Sequence, residues 1–151
     1  MGFSSTIGNF DTVSGDIVIN ADDLTASTVN VTIDTASIDT AHKERDEHLR
    51  NADFFNVAEY PEMTFTSTAI EVTGDNTAKV TGDLTMLGQT HPVTLDVTLN
   101  KAAEHPFSKK YVAGFSATGT LDRTQWGMDY GVPAVGSEIE LLIEAEAMRQ
   151  E

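Results

Sequence analysis

The stretch HKERDEHLRNADFFNVAEYPEMTF, His42 to Phe65, holds two of the chain's four histidines among arginines, acids and aromatics, and it is where chemistry would be sought first. A metal site would join His42 to Asp46, one helical turn on, and add His48 or Asp53. His42 and His48 are six positions apart, however, so on a helix of 3.6 residues per turn they point about 240° away from each other. They cannot share one ion there, and no metal ligand is assigned. General acid–base work needs a carboxylate or imidazole aimed into a pocket that excludes water. Asp53, followed by Phe54 and Phe55, is the one acid here with apolar neighbours. The chain carries no G-x-S-x-G elbow, P-loop or G-x-G-x-x-G fingerprint, and no catalytic residue is assigned.

A structural reading treats Arg45, Asp46, Arg50 and Asp53 as a hydrogen-bonded clamp, with His48 beside it, holding a short helix against the rim of a larger scaffold. The helix is expected over residues 41–50. Asp39 or Thr40 can cap it, Glu44 suits its first turn, and Asp46 stands four residues before Arg50 in the favourable order for a pair. Ala41, Arg45 and Leu49 would share a face. Lys43, Arg45 and Arg50 balance Glu44, Asp46 and Glu47, making a neutral island on an acidic protein.

The scaffold is written in alternation. In Thr28 to Asp34 the residues Val29, Val31 and Ile33 face one way and polar residues the other, the period of a half-buried strand. The pattern recurs through Ala78 to Met86, Val93 to Leu99 and Ile139 to Ala145. Less regular strands lie at Ile7 to Ile19, Met63 to Val72 and Val112 to Arg123. Turns are expected at Ala21-Asp22-Asp23, Gly74-Asp75-Asn76, Leu87-Gly88-Gln89 and over Lys101 to Lys109. About seven sequential antiparallel strands with one apolar face read as an all-β up-and-down meander, which tends to close into a barrel because closure removes exposed edges.

With 151 residues the chain suits one domain, 1–151, able to bury a core without staples. It has no cysteine, and thus no disulfide or thiolate site. A formal charge of −15 repels phosphate backbones and anionic membrane surfaces, so nucleic acid is not an expected partner. The acids are dispersed, as on a surface kept soluble by charge. No apolar run approaches the roughly 20 residues of a membrane helix, and Met1-Gly2-Phe3 opens without a charged, apolar leader.

Several separated motifs, in order, resemble the YceI-like, polyisoprenoid-binding family. They are Asp39-Thr40-x-x-x-x-Arg45-Asp46-x-His48-Leu49-Arg50-x-x-Asp53-Phe54-Phe55, then Tyr60-Pro61-x-Met63-Thr64-Phe65-x-Ser67-Thr68. Val80-x-Gly82-x-Leu84-x-x-x-Gly88-x-Thr90-x-Pro92-Val93, Gly114-Phe115-x-Ala117, Arg123-x-x-x-Gly127 and Val135-Gly136-x-Glu138-Ile139-x-Leu141-x-Ile143 follow. The resemblance implies a lipocalin-like antiparallel barrel of about eight strands with a helix between two of them. It further implies an elongated apolar cavity for a long isoprenoid or other lipid, and a carrier or store rather than an enzyme. No cofactor is required beyond the bound lipid. The alternatives are an enzyme acting on a lipid head group at the His42 to Asp53 rim, and a ligand-free interaction or stress-protective domain.

Alternation then nominates the lining: Phe10, Val29, Val31, Ile33, Met63, Phe65, Leu84, Val93, Leu95, Phe115, Ala117, Ile139, Leu141 and Ile143, with Phe54, Phe55 and Trp126 at the rims. Gly82, Ala117 and Gly119 are small where a packed barrel centre would want bulk, leaving room for a guest. Against the family pattern a strand is missing ahead of the Gly2-Phe3-Ser4 match. The meander would then keep two open edges, Ile7 to Ile19 and Glu138 to Met148. The first carries little charge to discourage pairing, so a homodimer through it is expected. The resemblance implies a periplasmic location; with no leader in this chain, a cytoplasmic one stays open.

Overall fold

The computed structural model describes residues 1–150. Its strands are β1 (Asn9–Phe10), β2 (Val13–Val18), β3 (Thr28–Asp34), β4 (Ile38–Asp39), β5 (Glu62–Val72), β6 (Thr77–Met86), β7 (Gln89–Glu104), β8 (Tyr111–Asp122) and β9 (Glu138–Met148), with one helix, α1 (Lys43–Arg50), between β4 and β5. Seven of these form one antiparallel sheet in the order β2-β3-β5-β6-β7-β8-β9, an up-and-down meander. Register brings the apolar sets to one face: Val31 pairs with Phe65, Phe65 with Leu84, Val80 with Leu95, Val97 with Ala117, and Ala117 with Ile143. A slip of one residue would turn each set outward, so burial of this face specifies the register. On the other face threonine hydroxyls pair across strands, Thr81 with Thr94 at 2.9 Å and Thr85 with Thr90 at 2.7 Å.

Two bulges explain the irregular alternation. In β5 the register shifts between Ser67 and Ala69, leaving Thr68 as the extra residue and returning Ile70 to the apolar face opposite Val80. In β7 it shifts between Leu99 and Lys101, so Asn100 is the extra residue. Leu87 and Gly88 make the β6–β7 hairpin with φ of 54° and 71°, the left-handed pair of a two-residue turn whose twist suits the flanking strands.

Four expectations are corrected. The strand foreseen over Ile7 to Ile19 is broken at Asp11-Thr12. There the Asp11 N–H donates to Ser37 O and Thr12 O accepts from the Asp34 N–H, so β1 leaves the sheet and pairs with β4. Lys101 to Glu104 are strand, because β7 runs on past its bulge and the connecting loop starts only at His105. The helix begins at Lys43, capped by His42, whose Nδ1 accepts the Arg45 N–H at 3.2 Å. Asp39 and Thr40 cannot cap it, since Asp39 accepts from Ala41 N–H, Thr40 donates to Asp46, and Ala41 turns the chain with φ 59°. Trp126 lies in the core rather than at the rim: it is 1 % exposed, and its Nε1–H donates to Leu84 O at 2.9 Å.

Among the described residues no ladder joins β2 to β9, so the curled sheet is a half-barrel open along one side. The accessible surface is 10073 Å². A compact monomer of 16.3 kDa would show about 7,500 Å², so roughly a quarter of this surface is excess. The buried core, with Met63, Phe65, Leu84, Met86, Val93, Leu95, Trp126 and Met128, has Phe54 and Phe55 of the 51–61 segment packed against it.

Candidate functional site

The concave face is an apolar trough built by strand alternation. Met63, Phe65, Leu84, Val93, Leu95 and Ala117 form its buried floor, while Val31, Ile33 and Leu141 are half-buried against that floor. Val29 and Phe115 continue the same face and are also half-buried. Ile139 and Ile143 stay 38 % exposed, because β9 has no strand beyond it to cover their outer flank. Phe10 is placed differently from the expectation: in the β1–β4 ribbon it stands edge-on to Phe55, ring centres 5.4 Å apart.

Gly82 and Gly119 do not hold space for a guest. A Cβ at Gly82 would run into the Phe65 ring and the Thr66 carbonyl, and one at Gly119 into Leu95 and the Thr94 carbonyl. The glycines admit their neighbours' side chains and tighten the floor.

The rim is a set of polar ties. Thr40 donates its backbone N–H (2.9 Å) and its hydroxyl to the buried Asp46 carboxylate. Arg45 reaches the same residue, Nε to the Thr40 hydroxyl and Nη2 to its carbonyl, both 2.8 Å. Arg50 does not pair with Asp46; it donates to Ala36 O at 2.8 Å and Ile38 O at 2.9 Å. Asp53 takes His48 Nε2 at 2.8 Å. The clamp foreseen as one network is therefore three separate ties, since each long cation finds a backbone carbonyl nearer than a carboxylate. The Thr40 hydroxyl is the main reason the Asp46 carboxyl lies below its ordinary 3.8; burial opposes it, and the Thr40 N–H, Arg50 and Arg45 reinforce it. The rim's outer layer is aromatic: His48 meets Phe54 and Tyr130 edge-on, each at 5.0 Å.

Alternation could not reveal Arg123, which is 3 % exposed. It donates to Gly136 O (2.9 Å), Met128 O (2.8 Å), Tyr130 O (2.9 Å) and Val135 O (3.2 Å), and its guanidinium stacks over Phe54 at 5.7 Å. It thus ties the 128–136 loop under the rim. The family motif carried this arginine, but nothing in its spacing disclosed a buried cation held by carbonyls. His91 is the other residue that was missed. It pairs with Leu84 on the concave face and stands edge-on to Trp126, and its Nε2 is buried with no hydrogen-bond partner among the described residues. A buried unpaired polar nitrogen costs about 1–3 kcal/mol.

Two clefts accompany the trough. One of about 400 Å³ lies beside the β7–β8 hairpin, with Lys101, His105, Val112, Phe115 and Glu144 in its wall. The other, about 340 Å³, lies between β7 and β8 near Trp126.

A curled antiparallel meander with an apolar concave side, open along one edge, and one helix between two of its strands defines a lipocalin-like half-barrel. The sequence profile of the YceI-like domain matches residues 1–147, and the chain belongs to that family. It is similar to Protein YceI of Escherichia coli O17:K52:H18, 40% identical over 150 residues that span 99% of this chain and 78% of that one. Protein YceI of Salmonella arizonae is 39% identical over the same share of each. Among solved structures the chain is similar to the Campylobacter jejuni YCEI protein, at TM-score 0.89 and 32% identity over 100% of this chain and 89% of that one. A polyisoprenoid binding domain from Saccharophagus degradans shares the fold at TM-score 0.66 and 16% identity, covering 92% and 83%.

Proposed function

We propose that the protein binds a long-chain isoprenoid or similar lipid, such as a polyisoprenoid, an isoprenoid quinone or a fatty amide, in the concave trough, as a carrier or store and without turning it over. The observation that carries this is the apolar concave face of a sheet that does not close, its β9 flank still exposed at Ile139 and Ile143, on a molecule whose surface is about a third larger than that of a compact monomer. The family and the polyisoprenoid-binding domain that shares the fold support the same class of ligand. At roughly 0.3 kcal/mol per heavy atom, a tail of ~30 atoms would reach about −9 kcal/mol, sub-micromolar binding with no polar contact at all. A binding rather than catalytic role is supported by the rim, where Arg45, Asp46, Arg50, His48 and Asp53 are all committed to ties within the protein.

The open β2 edge, with Val13 and Val18 exposed, supports a homodimer in which the partner covers the trough's open side. The family resemblance supports a periplasmic location, which fractionation of cells expressing the full gene would check. The main test is native mass spectrometry of protein purified without detergent. A co-purifying lipid is expected, intact after long incubation. Its turnover would make the rim an enzyme, and failure to bind any added prenyl lipid would overturn the reading.

A further inference from the structure

The β7–β8 ladder stops at Asp96 and Thr118, although β7 begins at Gln89 and β8 runs on to Asp122. Pro92 has no N–H to offer across the gap, so pairing cannot resume beside it. The 340 Å³ cleft occupies this splay. Pro92 and Asp122, from the outward set, line it together with Val93, Leu121 and Trp126 from the apolar side. Its wall thus draws on residues from both faces of the sheet.

At its inner end stands Trp126, whose Nε1–H is already given to Leu84. Edge-on to it, ring centres 5.2 Å apart, is His91, which does not itself line the cleft and whose buried Nε2 has no partner among the described residues. An imidazole nitrogen can donate to a carbonyl or accept from a hydroxyl, according to tautomer. The cleft's mouth is acidic, with Asp122 and Glu138 in its wall. The Thr124 hydroxyl, and then its N–H, hold the Asp122 carboxyl below the ordinary carboxylate range, so the mouth repels anions.

We infer that this slit seats the polar head of the bound lipid: a neutral, hydroxyl- or carbonyl-bearing head lodges beside Trp126 with its oxygen hydrogen-bonded to His91 Nε2, and the tail lies along the trough toward the β7–β8 hairpin. The inference rests on the lipid-binding reading above and adds a direction and a head chemistry to it. Because Nε2 is shielded, the His91 ring turns about Cβ–Cγ to meet the head, exchanging part of its contact with Trp126.

Trp126 is the only tryptophan, so its emission reports on the slit directly. A prenyl phenol brominated on its ring should quench Trp126 strongly, and the same molecule brominated at the far end of its tail weakly. Equal or reversed quenching would overturn the proposed direction while leaving lipid binding intact. Wild type should bind a prenyl alcohol about five- to tenfold more tightly than the matched hydrocarbon, the order of one hydrogen bond, and more tightly than the matched diphosphate. His91→Phe should lose the preference for alcohol and keep the hydrocarbon's Kd; a preference that survives would overturn the role of His91. The quenching pair needs no variant and stands even if His91→Phe misfolds. If no probe binds wild type, the lipid-binding reading falls, and this inference with it.

Discussion

Asp46 shows how a single side chain sets the rim's pH range. Its folded carboxyl lies below 3.8, chiefly through the Thr40 hydroxyl. A depressed carboxylate contributes stability that is fully present above its unfolded value and is lost as pH falls through the folded one. Asp46→Asn should therefore lower Tm at pH 7 by an amount that shrinks as pH falls from 3.8 through the lower folded value, below which the wild-type carboxyl is itself neutral. Circular dichroism melts across that range check this, and a gap independent of pH would mean that the charge contributes nothing. Arg45→Ala should also lower Tm, since it frees the Thr40 carbonyl and hydroxyl from their shared cation.

Strands carry their own constraint where side chains interlock across the sheet. Gly82 lies opposite Val93 in β7 and Ser67 in β5, and the Phe65 ring occupies the space above it. Gly82→Ala places a methyl against that ring and against the fixed Thr66 carbonyl, an overpacking expected to destabilise by about 1–3 kcal/mol. A shift of the urea midpoint to lower concentration is the expected readout, with lipid affinity little changed. An unchanged midpoint with lost lipid binding would instead make Gly82 part of the guest's space.

For the whole molecule, the open side decides behaviour in solution. Among the described residues the outer edges of β2 and β9 are unpaired, and Val18, Ile19, Leu142 and Met148 are exposed along them, Leu142 at 77 %. Acids at Glu138, Glu140, Glu144 and Glu146 guard β9, whereas within β2 only Asp16 is charged. Light scattering should give twice 16.3 kDa, and Val18→Lys should shift the population toward monomer. A wild-type monomer at micromolar concentration would refute pairing through β2. The β2 edge is shorter than the sequence suggested, because β1 has left to pair with β4.

Period-two alternation determined the meander, its apolar face and most strand limits; Thr28–Asp34 and Glu138–Met148 are strands over the ranges the pattern marks. That was legible because burying one face of a pleated strand writes itself into every second residue. The helix was legible in place but not in its cap, since the choice between Asp39, Thr40 and His42 depends on which of them the Asp46 carboxylate has already engaged. The burial of Trp126, the carbonyl cradle around Arg123 and the orphaned nitrogen of His91 were not legible, because each depends on atoms far along the chain: Leu84 for Trp126, and Tyr130 to Gly136 for Arg123. Only the tertiary structure decided whether the glycines left space or lent it to Phe65 and Leu95, and where β7 parts from β8. Local pattern records which side of a strand is buried; it carries no information about how far apart two neighbouring strands finally lie.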